Sequence, residues 1–422
     1  MERTIAHRVS PIVAALLAAL AGCGSVGPVA DDRREVTIAA RGANAISTWG
    51  QVAFTAIGST NQDLVTVHLA MHDAVMAVAR THRPFAIRPA TSGQGAGEVG
   101  MKAAAVEAAY RTLRALAPAA GASYEARYAA DIAALPDGDA RSRGRAIGSE
   151  VAAGWLARRA NDGRSTVLPP YVPGSQPGQF RGLNPINRIG PQIKPFATLS
   201  HSQFRAPGPP PLASEAYAAD VNEVQSLAST TSTLRSAAQT EVARFHTEPP
   251  PPFWSRNLRQ FATASDDLAE NARLAAMLYT AHHDAVAACF ESKYHHDFWR
   301  PTSAIQLADT DGNAATRPDA NWAPHLPTPN HPEYPAAHSC ASAAVAEVLR
   351  SFYGTRKVRF SFDSTVPGTL PHRYESTDDL VREIADARVW GGMHFRFSTT
   401  HGAELGRRVA EWVAKHHFQP AD

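Results

Sequence analysis

Apolar residues along most of this chain recur at steps of three and four, the spacing that gathers them on one face of a helix. Leu64, Val67, His68, Met71, Val75 and Val78 form one such stripe, and Val99, Val106, Tyr110, Leu113 and Leu116 a second. Alanine-rich helical stretches cover residues 124–135 and 141–159, with Pro136-Asp137-Gly138-Asp139 as the turn between them. Residues 165–211 are rich in Pro and Gly and predict a long irregular excursion. Helices resume at 214–227 and 233–246, until Pro249 to Pro252 stop the chain. Ser265-Asp266-Asp267 starts a further helix, whose apolar face runs through Leu274, Met277, Leu278, Ala281 and Ala285 towards Phe290. No stretch alternates convincingly as a strand would, and no repeat of fixed period is present. The pattern predicts an all-α protein of helical bundles, with an N-terminal helical region over 44–248 and a C-terminal bundle over 249–418 that holds the chemistry.

The first residues follow another logic. Arg3 and Arg8 precede an apolar run at 12–21, too short to span a bilayer and suited to a signal-peptide core. Leu20-Ala21-Gly22-Cys23 then resembles the bacterial lipobox, which predicts a leader over 1–22, lipidation of Cys23 and a polar tether over 23–43. Gly24 after the Cys leans towards the outer membrane of the cell envelope, facing the periplasm. A formal net charge of +2 on 422 residues gives no basic field, which argues against a nucleic-acid partner. Cys289 and Cys340 remain in a compartment that permits disulfides, lack metal-ligand spacing, and read as buried small hydrophobes.

Three segments of the C-terminal half carry chemical groups. In Lys293-Tyr294-His295-His296-Asp297-Phe298-Trp299-Arg300-Pro301 the two cations stand seven positions apart, so a continuous helix would project both from one face. His331-Pro332-Glu333-Tyr334-Pro335-Ala336-Ala337-His338 leads into a helix over 339–353, whose first N–H groups would face an anion beside His338. In Arg388-Val389-Trp390-Gly391-Gly392-Met393-His394 a continuous helix would turn Arg388 and His394 apart, and the glycine pair allows a break that reunites them. Three cations, a helix N-terminus and two imidazoles suit a tetrahedral oxyanion better than a divalent metal.

Lys293, Arg300-Pro301, Pro335, His338, Arg388 and His394 match position for position the three-part signature of the superfamily of vanadium haloperoxidases and type 2 phosphatidic acid phosphatases. Residues 273–305 and 332–402 resemble its bacterial haloperoxidase branch, and residues 63–78 extend the likeness, so it covers most of the chain after the leader. The resemblance implies that His394 is the axial ligand of vanadate, or the nucleophile forming a phosphohistidine. It makes His338 the acid/base, lets Lys293, Arg300 and Arg388 hold the equatorial oxygens, and gives the Ala337 N–H the place of the family's glycine amide. Ala336 and Ala337 stand where the family has Ser and Gly, and Ala387 replaces a Ser. A lost hydrogen bond to a charged group weakens anion retention by about 1.5–3 kcal/mol.

The resemblance thus implies a haloperoxidase oxidising halide with hydrogen peroxide at bound vanadate, with phosphate as competitor. Its alternative is an envelope acid phosphatase acting on a phosphate ester through the same groups, and a third reading is an idle scaffold lipoprotein. Asp309-Thr310-Asp311-Gly312-Asn313 has part of a calcium-loop pattern but lacks the distal Glu, and reads as a solvated turn. The pairs His282-His283, His295-His296 and His416-His417 read as helix surface or outer support, since neighbours on a helix diverge. His295, His296 and His331 are placed to line the pocket, whereas Phe290 and Trp299 read as core.

Overall fold

The computed structural model describes residues 34–39, 41–58 and 61–421; the leader, Cys23 and most of the tether lie outside the described residues. The chain is helical, as its periodicity predicts. Helices α1 (Ala45–Ile57), α2 (Asn61–Ala79), α3 (Gly97–Leu116), α4 (Gly121–Ala133) and α5 (Asp139–Arg159) form the N-terminal group. After the irregular excursion come α6 (Glu215–Leu227), α7 (Ala237–Phe245) and α8 (Pro250–Arg259). The C-terminal group is α9 (Leu268–His296), α10 (Pro301–Gln306), α11 (Ala337–Tyr353), α12 (Thr377–Trp390) and α13 (Arg396–His416).

The 29-residue α9 is the axle of the molecule, packed against α2, α11 and α13. It is buried on nearly every side because Ala272, Ala275, Ala276, Ala281, Ala285 and Ala288 keep its surface slim. One hydrophobic core runs from Ile46 in α1 to Phe418 beyond α13. The excursion is tied down by Asp284 of α9, fully buried, which accepts the backbone N–H groups of Phe196, Ala197 and Thr198. Gly402 and Gly406 set the closeness of α13 to α11: a Cβ at Gly406 would stand 2.1 Å from the Cys340 carbonyl oxygen.

Several expectations need correction. The prolines do not merely stop the chain, because Pro250 and its neighbours open α8, where the first-turn N–H groups have no intrahelical partner to lose. Strands are present: β1 (Val36–Thr37), β2 (Val358–Phe362) and β3 (His372–Tyr374) form a sheet in which β1 lies parallel and β3 antiparallel to β2. Val358, Phe360 and Phe362 point inward and Arg359 and Ser361 outward, the alternation of a half-buried strand. The described end of the tether is therefore docked, with Val36 N–H on Lys357 O and Ile38 N–H on Arg359 O. Cys289 and Cys340 are buried but joined as a disulfide linking α9 to α11. His282 and His283 lie in the interior rather than on a helix surface. Asp311 is buried too, its carboxylate accepting Asn313 N–H and Thr316 O–H within its own turn.

Candidate active site

The three segments converge, each through a break in helical structure. α9 ends at Asp297, whose left-handed backbone (φ 48°) turns the chain, and Arg300 is the N-cap of α10. Lys293 and Arg300 thus do not share one helix face; the intervening turn brings them together instead. α12 ends at Trp390, Gly392 takes φ 79°, and His394 lies in the short link before α13, so the expected glycine break is present. α11 starts at Ala337, with Ala336 as an extended N-cap that offers no side-chain bond. The first N–H groups of α11 consequently lack the side-chain partner that a Ser would supply.

Lys293 is fully buried, its Nζ donating to Pro332 O at 2.9 Å and Glu333 O at 2.7 Å. Arg300 donates through Nε to His331 O at 2.9 Å and through Nη1 to Met393 O at 2.8 Å, fastening all three segments together. Arg388 donates to His246 O at 3.2 Å and to the Met393 sulfur, while its buried Nε has no partner in the protein. Burial pushes Lys293 well below its ordinary value, with Arg300 and Arg388 adding repulsion. Burial likewise lowers Arg388 to about 9, next to Arg300. Crowded buried cations and an unpartnered guanidinium nitrogen suit a multiply charged anion.

His394 is 1% exposed, and its two nitrogens have different partners. Nδ1 lies 2.8 Å from Glu333 Oε1, which also accepts the Phe395 N–H at 3.0 Å. An oxygen already acting as acceptor takes the Nδ1 proton, so Nε2 carries the lone pair, 3.3 Å from Arg300 Nη1. Burial, followed by Arg300, Lys293 and Arg388, pushes His394 well below its ordinary value and keeps it neutral. Glu333 was not singled out in the sequence; a carboxylate between prolines gave no hint of a partner 61 residues away.

A cavity of about 510 Å³ opens in front of these groups. Its wall includes His338, Ala337, Arg388, His331 and Met393, whereas Lys293, Arg300 and His394 are buried and do not line it. His338 has no hydrogen-bond partner among the described residues, and burial with nearby Arg388 lowers its pKa well below 6.5. Of the histidines expected to line the pocket only His331 does: His295 is exposed and His296 is bonded to Ala206 O. Phe290 joins the lining, edge-on to His331, while Trp299 is core as expected.

The family model of the VCPO second helical-bundle domain matches residues 273–422. Vanadium chloroperoxidase of Curvularia inaequalis is 24% identical over 212 residues, covering 37% of this chain and 34% of that protein, so the match spans about a third of the relative's length. Among solved structures, a bacterial vanadium-dependent iodoperoxidase superposes with a TM-score of 0.66 at 20% identity, over 90% of this chain and 96% of that one. The holo form of a bacterial vanadium-dependent chloroperoxidase gives 0.66 at 17% identity, over 89% and 98%. Residues 273–422 are therefore similar to the VCPO second helical-bundle domain, and the chain has the fold of the bacterial vanadium-dependent haloperoxidases.

Proposed function

We propose that the chain is a vanadium-dependent haloperoxidase that oxidises halide with hydrogen peroxide. The observation that carries this reading is the buried meeting of Lys293, Arg300 and Arg388 beside a neutral histidine, with Arg300 Nη1 3.3 Å from its Nε2 and Arg388 Nε left unpartnered. The donor set fits vanadate: the three cations and the Ala337 N–H would hold its oxygens, and His394 Nε2 would ligate vanadium. Bound there, vanadate supplies a Lewis-acidic centre that makes peroxide attackable by halide without a change of oxidation state. Glu333 fixes the tautomer and orientation of His394 through Nδ1. His338, neutral at the cavity wall, accepts a proton from a protic ligand and later returns it. Ile186, Trp254, Phe290, Pro327 and Pro329 give the cavity apolar walls that limit water.

The deciding experiment is an assay of purified protein, with and without added vanadate, for halide-dependent peroxidation and for phosphate-ester hydrolysis. Vanadate-dependent peroxidation is the expected result. Hydrolysis without vanadate, and no peroxidation with it, would move the chain to the phosphatase reading. Either anion is expected to raise the melting temperature by linkage, and no response from folded protein to either would favour a scaffold.

We further propose that the protein is exported and held on the envelope by a lipid at Cys23. The Cys289–Cys340 disulfide supports an oxidising compartment, and no helix among the described residues is long and apolar enough to cross a membrane. A Cys23→Ala protein that is processed yet remains on membranes would contradict the anchor.

A further inference from the structure

The cavity wall contains an imidazole that the reading above leaves unused. His246 is the C-cap of α7, is 3% exposed, and lines the same cavity as His338 and Arg388. Its Nε2 lies 2.8 Å from Glu383 Oε1 of α12. That same oxygen accepts the Tyr374 O–H at 2.7 Å and meets His372 Nδ1 at 2.8 Å. His372 in turn places Nε2 3.0 Å from Glu241 Oε2. An oxygen on which three donors converge is an ionised carboxylate. Burial pushes Glu383 up, but the hydrogen bonds from His246, His372 and Tyr374 outweigh it and hold the group near about 2. His246 therefore carries its proton on Nε2, and the Nδ1 lone pair, with no partner among the described residues, belongs to a residue that faces the cavity.

We propose that His246, backed by Glu383, is a second proton acceptor of the cavity. Nδ1 takes the proton released by a protic ligand entering the anion site, and the resulting imidazolium keeps its Nε2–H on Glu383. The proton then returns from Nδ1 to the departing oxygen, so His246 ends the turnover neutral, and the proton consumed in making hypohalous acid and water comes from solvent. His372, Tyr374 and Glu241 act as positioning residues that hold the carboxylate. The assignment rests on the cavity being the reaction site, as proposed above. His246 is near enough to His338 for charge on one to oppose charge on the other, so protonating either disfavours protonating its neighbour.

The titration of His246 in apo protein, followed by NMR of histidine labelled at Cε1 and assigned with His246→Asn, tests this directly. The groups facing His246 are Glu383, His372, Arg388 and His338. Removing the Glu383 charge with Glu383→Gln is expected to move the His246 midpoint down by roughly one to three pH units. In the vanadate-loaded enzyme, His246→Asn is expected to lower kcat by on the order of 100-fold while equilibrium dialysis shows vanadate retained. Glu383→Gln should shift the acid limb of the kcat profile to lower pH. An unmoved midpoint in Glu383→Gln, or full turnover in His246→Asn, overturns the proposal. Stoichiometric zinc in the purified protein, lost in both variants, would also overturn it, because His246, His372 and Glu383 bring three ligand atoms within 4.8 Å of one another. If the parent protein binds no vanadate, the site reading fails, and the catalytic role of His246 fails with it whatever the titration shows.

Discussion

His394 shows how one proton decides what a residue can do. With Nδ1–H given to Glu333, Nε2 is free to act as a ligand; with the opposite tautomer it would not be. Burial raises Glu333 to about 7, with Lys293 and Arg300 pulling it back. His394→Ala is expected to abolish vanadate binding, and Glu333→Gln to weaken it roughly tenfold to 100-fold, the usual range for a lost outer partner of a ligating histidine. His338→Ala should keep binding and lose turnover by about 100-fold to 10,000-fold. Ala336→Ser should tighten binding by roughly tenfold if its hydroxyl reaches the anion. Equilibrium dialysis of the four variants decides these assignments, and a His394→Ala protein that binds vanadate like the parent would refute the ligand role. The cations and both of these histidines were readable from their spacing, because a motif is a local pattern. Glu333 with His394, and His246 with Glu383, were not, because each pair is made by tertiary packing across 61 and 137 residues.

At the level of elements, what was legible was what has a period. The long helices announced themselves through three-and-four spacing, whereas β2 is five residues long and its alternation in Val-Arg-Phe-Ser-Phe is too brief to stand out. The exit from α9 also escaped the reading, since Asp297 in a left-handed conformation is a local choice that no periodicity signals. The α12–α13 link was foreseen from Gly391-Gly392, and it is where the fold is most sensitive. Gly392 has φ 79°, and a Cβ there would stand 2.7 Å from Pro324 Cβ. Gly392→Ala should cost about 1–2 kcal/mol in backbone strain alone, with the steric contact added. It should also displace His394, two residues on. Urea unfolding and vanadate affinity measured on the same variant are expected to fall together; unchanged values for both would show that the break does not need this glycine.

For the molecule as a whole, the buried histidines set the response to acid. His68, His72 and His282 are lowered to about 3 and His283 to about 4, in each case chiefly by burial. Below the ordinary value near 6.5 the unfolded chain takes up protons that the native state excludes, so stability falls as pH drops through this window. Each group contributes up to about 1.4 kcal/mol per pH unit. Asp73 and Glu333, raised by burial to about 6 and about 7, act in the opposite direction, since the native state binds their protons first. The histidines lowered by burial, His338 and His394 among them, outnumber these two carboxyls, and urea midpoints measured in half-unit steps should fall steeply between pH 6 and 4. A level profile down to 4.5 would show that these imidazoles are hydrated. The Cys289–Cys340 link adds a consequence of another kind. It closes a loop of 51 residues that holds Arg300, His331, Glu333 and the exposed stretch 317–321. A protease cutting that stretch severs the backbone between the Lys293–Arg300 half of the site and the Glu333–His394 half, yet the two fragments remain a single covalent molecule. A nick there leaves the two fragments joined through Cys289 and Cys340, and they come apart covalently only in the presence of a reductant.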